Sequence, residues 1–263
     1  MKNYLILLLL VLLAACRPSG RIFEELNEAE ELLRMHQADS AYTLLKEIPN
    51  LQQYPEKERA RWCLLMTQAI DKTYRTHTSD SLIRFAVNYY EKTNDLSKLP
   101  TAFYTLGRVQ RDLNDNEHAV NSFLKALDLA KGSDDYKLQY LAASQLGHVY
   151  AYSRFVDEAL KTYQQALYFA EQDNDSISLS YANSYLGRVY GLQKDWNRSI
   201  ECYQKAISIA QQTSYIRVLR LGLNELAAIY KCCEKYQEAA DCLEQLISLE
   251  NEASSDMEGA VYL

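Results

Sequence analysis

LAASQLGHVYAYSRFVDEALKTYQQA, residues 141–166, is followed forty positions later by YANSYLGRVYGLQKDWNRSIECYQKA, residues 181–206. Both segments carry a leucine-glycine pair (Leu146-Gly147, Leu186-Gly187) and a tyrosine three residues after the glycine (Tyr150, Tyr190). Twelve after the glycine stands a small residue (Ala159, Ser199), sixteen after it a tyrosine (Tyr163, Tyr203), and nineteen after it an alanine (Ala166, Ala206). The register extends both ways. Leu106-Gly107 opens an earlier copy, with Gln110, Ala119, Phe123 and Ala126 at the same offsets. Leu226-Ala227 opens a later one, with Tyr230, Ala239, Leu243 and Leu246. A fixed period of this kind marks a repeat architecture.

The spacings within each half are mostly three and four, those of neighbours on a helix face. Short polar turns separate the halves, as at Asn114-Asp115 and Lys194-Asp195, and Asp195 suits the N-cap of the helix that follows. Each forty-residue unit therefore reads as two antiparallel helices. A glycine inside a helix costs about 1 kcal/mol relative to alanine. Its recurrence implies a steric role: a missing side chain that lets a neighbouring helix come close. The small residues twelve positions on would do the same on the second helix, and the aromatic residues would fill the space between pairs.

Leu-Gly followed by Tyr, Ala, Phe or Tyr, and Ala at these offsets resembles the tetratricopeptide repeat over residues 95–250. The family's usual unit is shorter, about 34 residues, so the extra length would fall in the helices or the turns. The family's proline near the end of the unit is absent; Lys131, Glu171, Gln211 and Asn251 stand there. Two divergent copies are expected upstream, over residues 21–94. The stretch 80–85 resembles 39–44, and each would open a second helix. Their partners would be residues 22–35 and 56–73. The resemblance implies an all-α fold, a right-handed α-solenoid of stacked antiparallel helix pairs, with the first helix of each pair lining a concave face.

The N-terminus reads as an address. Lys2 precedes an apolar run over residues 4–13, which is too short to span a bilayer, and Leu13-Ala14-Ala15-Cys16 follows. This pattern is that of a secretory signal. The cysteine after Ala-Ala resembles the bacterial lipobox, in which cleavage after residue 15 exposes a lipidated cysteine. Residues 1–15 are then a lipoprotein signal peptide, and Cys16 with residues 17–20 is an acylated tether. Arg17, rather than aspartate, after the cysteine favours the outer over the inner membrane by the family's sorting rule. A plain signal peptide or an uncleaved anchor are the alternatives.

The chain has 263 residues, 48% of them hydrophobic, and a formal net charge of −7. Loss of residues 1–15 removes Lys2 and no acid, which takes the side-chain charge to −8. That balance argues against nucleic acid as a partner of this region, since nucleic acid rewards clustered positive charge. Five cysteines follow Cys16: Cys63, Cys202, Cys232, Cys233 and Cys242. Their odd number does not make a disulfide framework, and bridges among residues 232, 233 and 242 stay open. No metal motif links the four histidines, and no phosphate-binding loop, nucleophile elbow or dinucleotide fingerprint is present. No enzyme, cofactor or metal site is expected.

Counting from the glycine of each repeat places candidate groove residues on the first helices. They are Tyr104, Arg108, Arg111, His148, Tyr152, Tyr181, Arg188 and Lys231. Together they make a mildly basic, aromatic face on an acidic protein, suited to carboxylates and to large rigid contacts. The alternative is that these arginines pair with acids on neighbouring helices. The other tyrosines, among 21 in all, are expected to pack. Residues 251–263 read as a polar turn and the start of a truncated further repeat. The first functional expectation is a membrane-tethered scaffold, facing the periplasm, that binds a protein or peptide in its groove. A sensor domain of a longer signalling protein, with its output module absent, is the second. A glycan-binding outer-membrane lipoprotein is the third.

Overall fold

The computed structural model describes residues 18–261, with side chains from residue 22 to residue 251. Among these residues there are twelve α-helices, one 3-10 turn and no strand, as the repeat implies. Residues 1–15, expected as a signal peptide, and Cys16, expected to carry lipid, lie outside the described residues.

Two compact units divide the chain, residues 1–129 and 130–263. The first holds α1 (Pro18–Arg34), α2 (Ala38–Glu47), α3 (Glu56–Lys72), α4 (Ser81–Thr93), α5 (Leu99–Asp112) and nearly all of α6 (Asn116–Ala130). The second holds α7 (Tyr136–Tyr152), α8 (Val156–Asp173), α9 (Ser176–Leu192), α10 (Trp196–Gln212), α11 (Ile216–Cys232) and α12 (Tyr236–Val261). In each unit a first helix packs on its own partner and on the first helix of the next pair, as α3 does on α4 and α5, and α9 on α10 and α11.

Burial follows the period. On α8 the buried residues Ala159, Tyr163, Ala166 and Ala170 fall at steps of four, three and four, a single stripe; α10 repeats it with Ser199, Tyr203, Ala206 and Ala210. Second helices therefore cover one face. First helices touch neighbours on two sides, so α7 buries Leu138, Ala142, Ala143, Leu146, Gly147 and Val149. Each large apolar side chain so buried stabilises by about 1.5–3 kcal/mol. In the first unit, Ile22, Leu26, Leu33, Leu45 and Leu65 join α1, α2 and α3. Ile83, Val87, Leu99, Leu106 and Val109 join α4 and α5 to α3.

The helix ends share one device. Tyr74, Asn94, Asn114, Arg154, Asn174, Lys194, Ser214 and Glu234 all have φ between 51° and 66°. They lie twenty residues apart, except between 114 and 154, where Gly132 (φ 80°) stands instead. After each comes a backbone N–H that bonds five residues back: Asp115 to Gln110 at 2.8 Å, Phe155 to Tyr150 at 2.9 Å, Asp195 to Tyr190 at 2.9 Å, Lys235 to Tyr230 at 2.9 Å. This is the Schellman closure, which satisfies carbonyls that the helix leaves open. At the non-glycine corners from Asn114 to Glu234 the next helix starts two residues on, and Asp195 accepts from the Arg198 backbone N–H at 3.1 Å.

Two expectations are corrected. The first helix, expected from residue 22, already includes residues 18–20 of the expected tether, as α1 spans Pro18–Arg34; proline is tolerated in a first helical turn, where its missing N–H has no partner to lose. The turn expected at 251–255 is helix, and α12 runs unbroken to Val261. No proline or glycine interrupts that stretch before Gly259, and polar residues alone do not stop a helix. Among the described residues, no helix is long and apolar enough to cross a membrane. The five described cysteines are free, and burial pushes the thiols of Cys63 and Cys202 up to about 11.

Candidate functional site

The glycine of each repeat is a seat for an aromatic ring. A Cβ on Gly107 would stand 2.6 Å from Phe123, one on Gly147 2.5 Å from Tyr163, and one on Gly187 2.9 Å from Tyr203. It is thus the ring sixteen residues on, rather than a neighbouring backbone, that fills the gap. The small residue twelve on does approach the backbone: Ser199 Oγ donates to the Gly187 carbonyl at 2.8 Å. These contacts lock the first helices and so fix what they present.

In the second unit, His148, Ala151 and Tyr152 of α7, Arg154 at the corner, and Arg188 and Leu192 of α9 line one open cavity of about 230 Å³. His148 is held from behind. Its Nδ1 lies 3.0 Å from the Tyr163 hydroxyl, and its ring meets Tyr185 edge-on at 4.5 Å. Tyr185 stacks on Tyr163 at 5.2 Å and on Tyr181 at 6.0 Å. Burial raises the Tyr163 phenol far above its ordinary range. Arg188 stands 3.9 Å from Glu225 of α11. That pair is long, and a guanidinium has five N–H donors, so Arg188 can engage a second carboxylate. At the rim Tyr152 is 79% exposed, and Leu192 is exposed as well. The cavity thus offers apolar walls with cations at its edge.

Of the expected groove residues in this unit, the structure brings His148, Tyr152 and Arg188 together. Tyr181 is elsewhere: it lines a second hollow with Ile216, Arg217, Arg220 and Leu221 and meets Tyr215 edge-on at 6.1 Å. Burial, then Tyr215, push its phenol up. Lys231 is exposed in the last turn of α11. Arg154 and Leu192 were not among the expected residues. Arg154 lies at a left-handed corner, seven residues past Gly147, an offset that falls in the turn between helices rather than on the first-helix face.

In the first unit, Tyr104, Arg108 and Arg111 do come together, but in pairs with neighbours. Arg108 donates to Asp71 Oδ1 on α3 at 2.7 Å and to the Tyr104 hydroxyl at 3.3 Å. Arg111 donates to Asp112 Oδ1 at 3.1 and 2.6 Å. Arg108 thus pairs with an acid on a neighbouring helix, whereas Arg111 pairs with the next residue of its own helix. Burial raises the Asp71 carboxyl despite Arg108, and raises the Tyr104 phenol. Beside them, Asp71, His77 and Asp112 have donor atoms within 4.8 Å of one another, a grouping with no signature in the sequence because residue 77 arrives from a long connection.

Residues 100–132, 139–212 and 223–256 match family models described as tetratricopeptide repeat. No curated protein matches the chain. Among solved structures it is similar to BtubC (BKLC) from P. vanneervenii, at 14% identity and a TM-score of 0.66, over 89% of this chain and 92% of that one. It is also similar to a signal transduction ATPase with numerous domains and a tetratricopeptide repeat sensor, from Pyrococcus horikoshii: 16% identity, TM-score 0.72, 88% of this chain and 36% of that one. A Rap protein complexed with competence and sporulation factor aligns at 16% identity and a TM-score of 0.56, over 91% of this chain and 79% of that one. At these identities the likeness is one of fold.

Proposed function

We propose, on the premise that this chain carries tetratricopeptide repeats over residues 100–256, that it is a non-catalytic scaffold which captures a protein or peptide partner. The supporting observation is the cavity between α7 and α9, where Tyr152 and Leu192 stand exposed beside Arg154 and Arg188. Apolar walls would take a large side chain, and the two guanidiniums would take a nearby carboxylate, bidentately where geometry allows. Affinity capture with the full chain tests this. Arg154→Glu with Arg188→Glu should abolish capture while leaving the helical circular dichroism intact. Undiminished capture by the double variant would reject the cavity as the docking place.

The same reading places the scaffold on the bacterial envelope, facing the periplasm, through Cys16, with the outer membrane as its site. Leu13-Ala14-Ala15-Cys16 carries it. Two or three acyl chains would anchor durably, at about 0.8 kcal/mol per buried methylene. Cys16→Ser should move the protein from the membrane to the soluble fraction and end palmitate incorporation; continued membrane sedimentation would refute lipid anchoring. A second reading, a sensor segment of a longer signalling protein, is favoured by one comparison: the similar ATPase is described as bearing a tetratricopeptide repeat sensor, and this chain spans 36% of it.

A further inference from the structure

The first unit contains a group of side chains that partner capture does not use. Asp71 lies in the last turn of α3, Asp112 ends α5, and His77 comes from the connection between α3 and α4. One donor atom from each falls within 4.8 Å of the others. A second observation is independent of that grouping. His77 is 8% exposed, and its Nε2 is shut off from solvent without a hydrogen-bond partner. Buried polar atoms are nearly always matched, and a ring nitrogen of this imidazole stands within 4.8 Å of both carboxylates, so a ligand held among the three would complete the group.

We propose that Asp71, His77 and Asp112 form a binding site for a divalent transition-metal ion, with zinc the best fit. The donor set is one imidazole nitrogen and two carboxylate oxygens. Calcium and magnesium want oxygen alone, whereas imidazole with carboxylate suits zinc. Small side-chain adjustments bring donors already this close to the 2.0–2.2 Å or so that zinc requires. Three protein ligands leave a fourth position for water or a partner's side chain.

The neighbouring arginines set the terms of binding. Arg108 and Arg111 each hold a carboxylate through its Oδ1, and each carboxylate has a second oxygen for an ion. Outer partners of this kind orient the ligands. Their positive charge opposes the ion. It is offset by the two carboxylates and by the C-terminal ends of α3 and α5, which carry partial negative charge. A bound ion would tie the 73–80 connection to both helices.

Calorimetric titration of the full chain with zinc alone tests the site. Exposed Cys232 and its neighbour Cys233 are a competing place for zinc, so the comparison includes C232S/C233S alongside His77→Ala and Asp112→Asn. The expected result is one zinc per chain, weakened at least tenfold in H77A and in D112N and unchanged in C232S/C233S. Zinc should also raise the melting temperature of the wild type and not that of D112N. Asp112 is exposed, so D112N decides the matter should H77A fail to fold. No binding by the wild type would overturn the proposal. So would binding that C232S/C233S removes and D112N leaves intact.

Discussion

Gly147 and Tyr163 share a space that holds one side chain: a Cβ on Gly147 would lie 2.5 Å from Cε1 of the ring. The ring cannot retreat, because its other face stacks on Tyr185 at 5.2 Å and its hydroxyl is bound to His148. Alanine gains helix propensity over glycine by about 1 kcal/mol, yet Gly147→Ala should still destabilise the protein by about 1–2 kcal/mol through overpacking. Gly191→Ala meets the flexible end of Ile229 at 3.0 Å and Ser199 Oγ at an ordinary 3.5 Å, and should be neutral or stabilising. Urea unfolding of the two variants gives the comparison. Equal stabilities would remove the ring-seat explanation of the repeat glycine.

The left-handed corners are a store of improvable strain. Lys194, Ser214 and Glu234 adopt φ of 61°, 54° and 58°, a region that disfavours residues with a Cβ by about 1–2 kcal/mol. Glycine carries an entropic penalty of its own. Substituting glycine at any of the three should therefore raise stability by about 0.5–1 kcal/mol, as a higher urea midpoint with an unchanged slope. A lowered midpoint at all three would contradict the backbone geometry.

Arg108 and Arg188 occupy the same repeat position and should behave differently. Arg108 is joined to Asp71 at 2.7 Å, with side-chain exposures of 23% and 14%, so Arg108→Ala strands a carboxylate in the interior. Stability should fall by about 3 kcal/mol or more. Arg188 is only 3.9 Å from a more exposed Glu225, and Arg188→Ala should change stability by less than about 1 kcal/mol. Thermal denaturation of both variants separates a structural cation from one available to a partner.

Glu30 should contribute to the acid limb of stability. Burial pushes its carboxyl up, but hydrogen bonds from Lys98 and Arg61, with their charges, outweigh this, and it titrates below its usual range. A folded-state pKa below the unfolded one means the contribution is present above the unfolded value, about 4.3, and is lost as pH falls through the folded one. The pair distances are 2.7 Å to Lys98 and 2.5 Å to Arg61, and partial exposure limits the effect to about 1 kcal/mol. Glu30→Gln should be less stable than wild type at pH 7 and equal to it near pH 2. A stability difference that stays constant with pH would exclude the carboxylate as its source.

The fold was legible because one offset table, counted from Leu146-Gly147, located helices, turns and buried stripes together. Tyr163, Tyr203 and Phe123 fell on the buried stripe where the table put them. The start of the first helix and the final turn differ from expectation for a local reason: Pro18 and the polar run after Glu250 permit a helix as readily as they permit a loop. At the candidate site the period placed His148 and Arg188 on adjacent helices, since both are one residue past a repeat glycine. It had no means of seeing that Asp71 would claim Arg108, because the two residues lie 37 apart and in different repeats. Nor could it place His77, which comes from a connection whose path depends on tertiary packing; Arg154 falls on the period, but at a turn offset that gave no reason to put it in the groove.

A spacing of twenty residues from corner to corner turns this chain into a ruler. Removing a single residue inside a helix would rotate every following side chain by about 100°, carrying a ring such as Tyr203 away from its seat and bringing Gln204 in. Removing or duplicating forty would leave the phase untouched. Changes of length in such a protein are therefore quantised, and natural variants that differ in size should differ by whole hairpins.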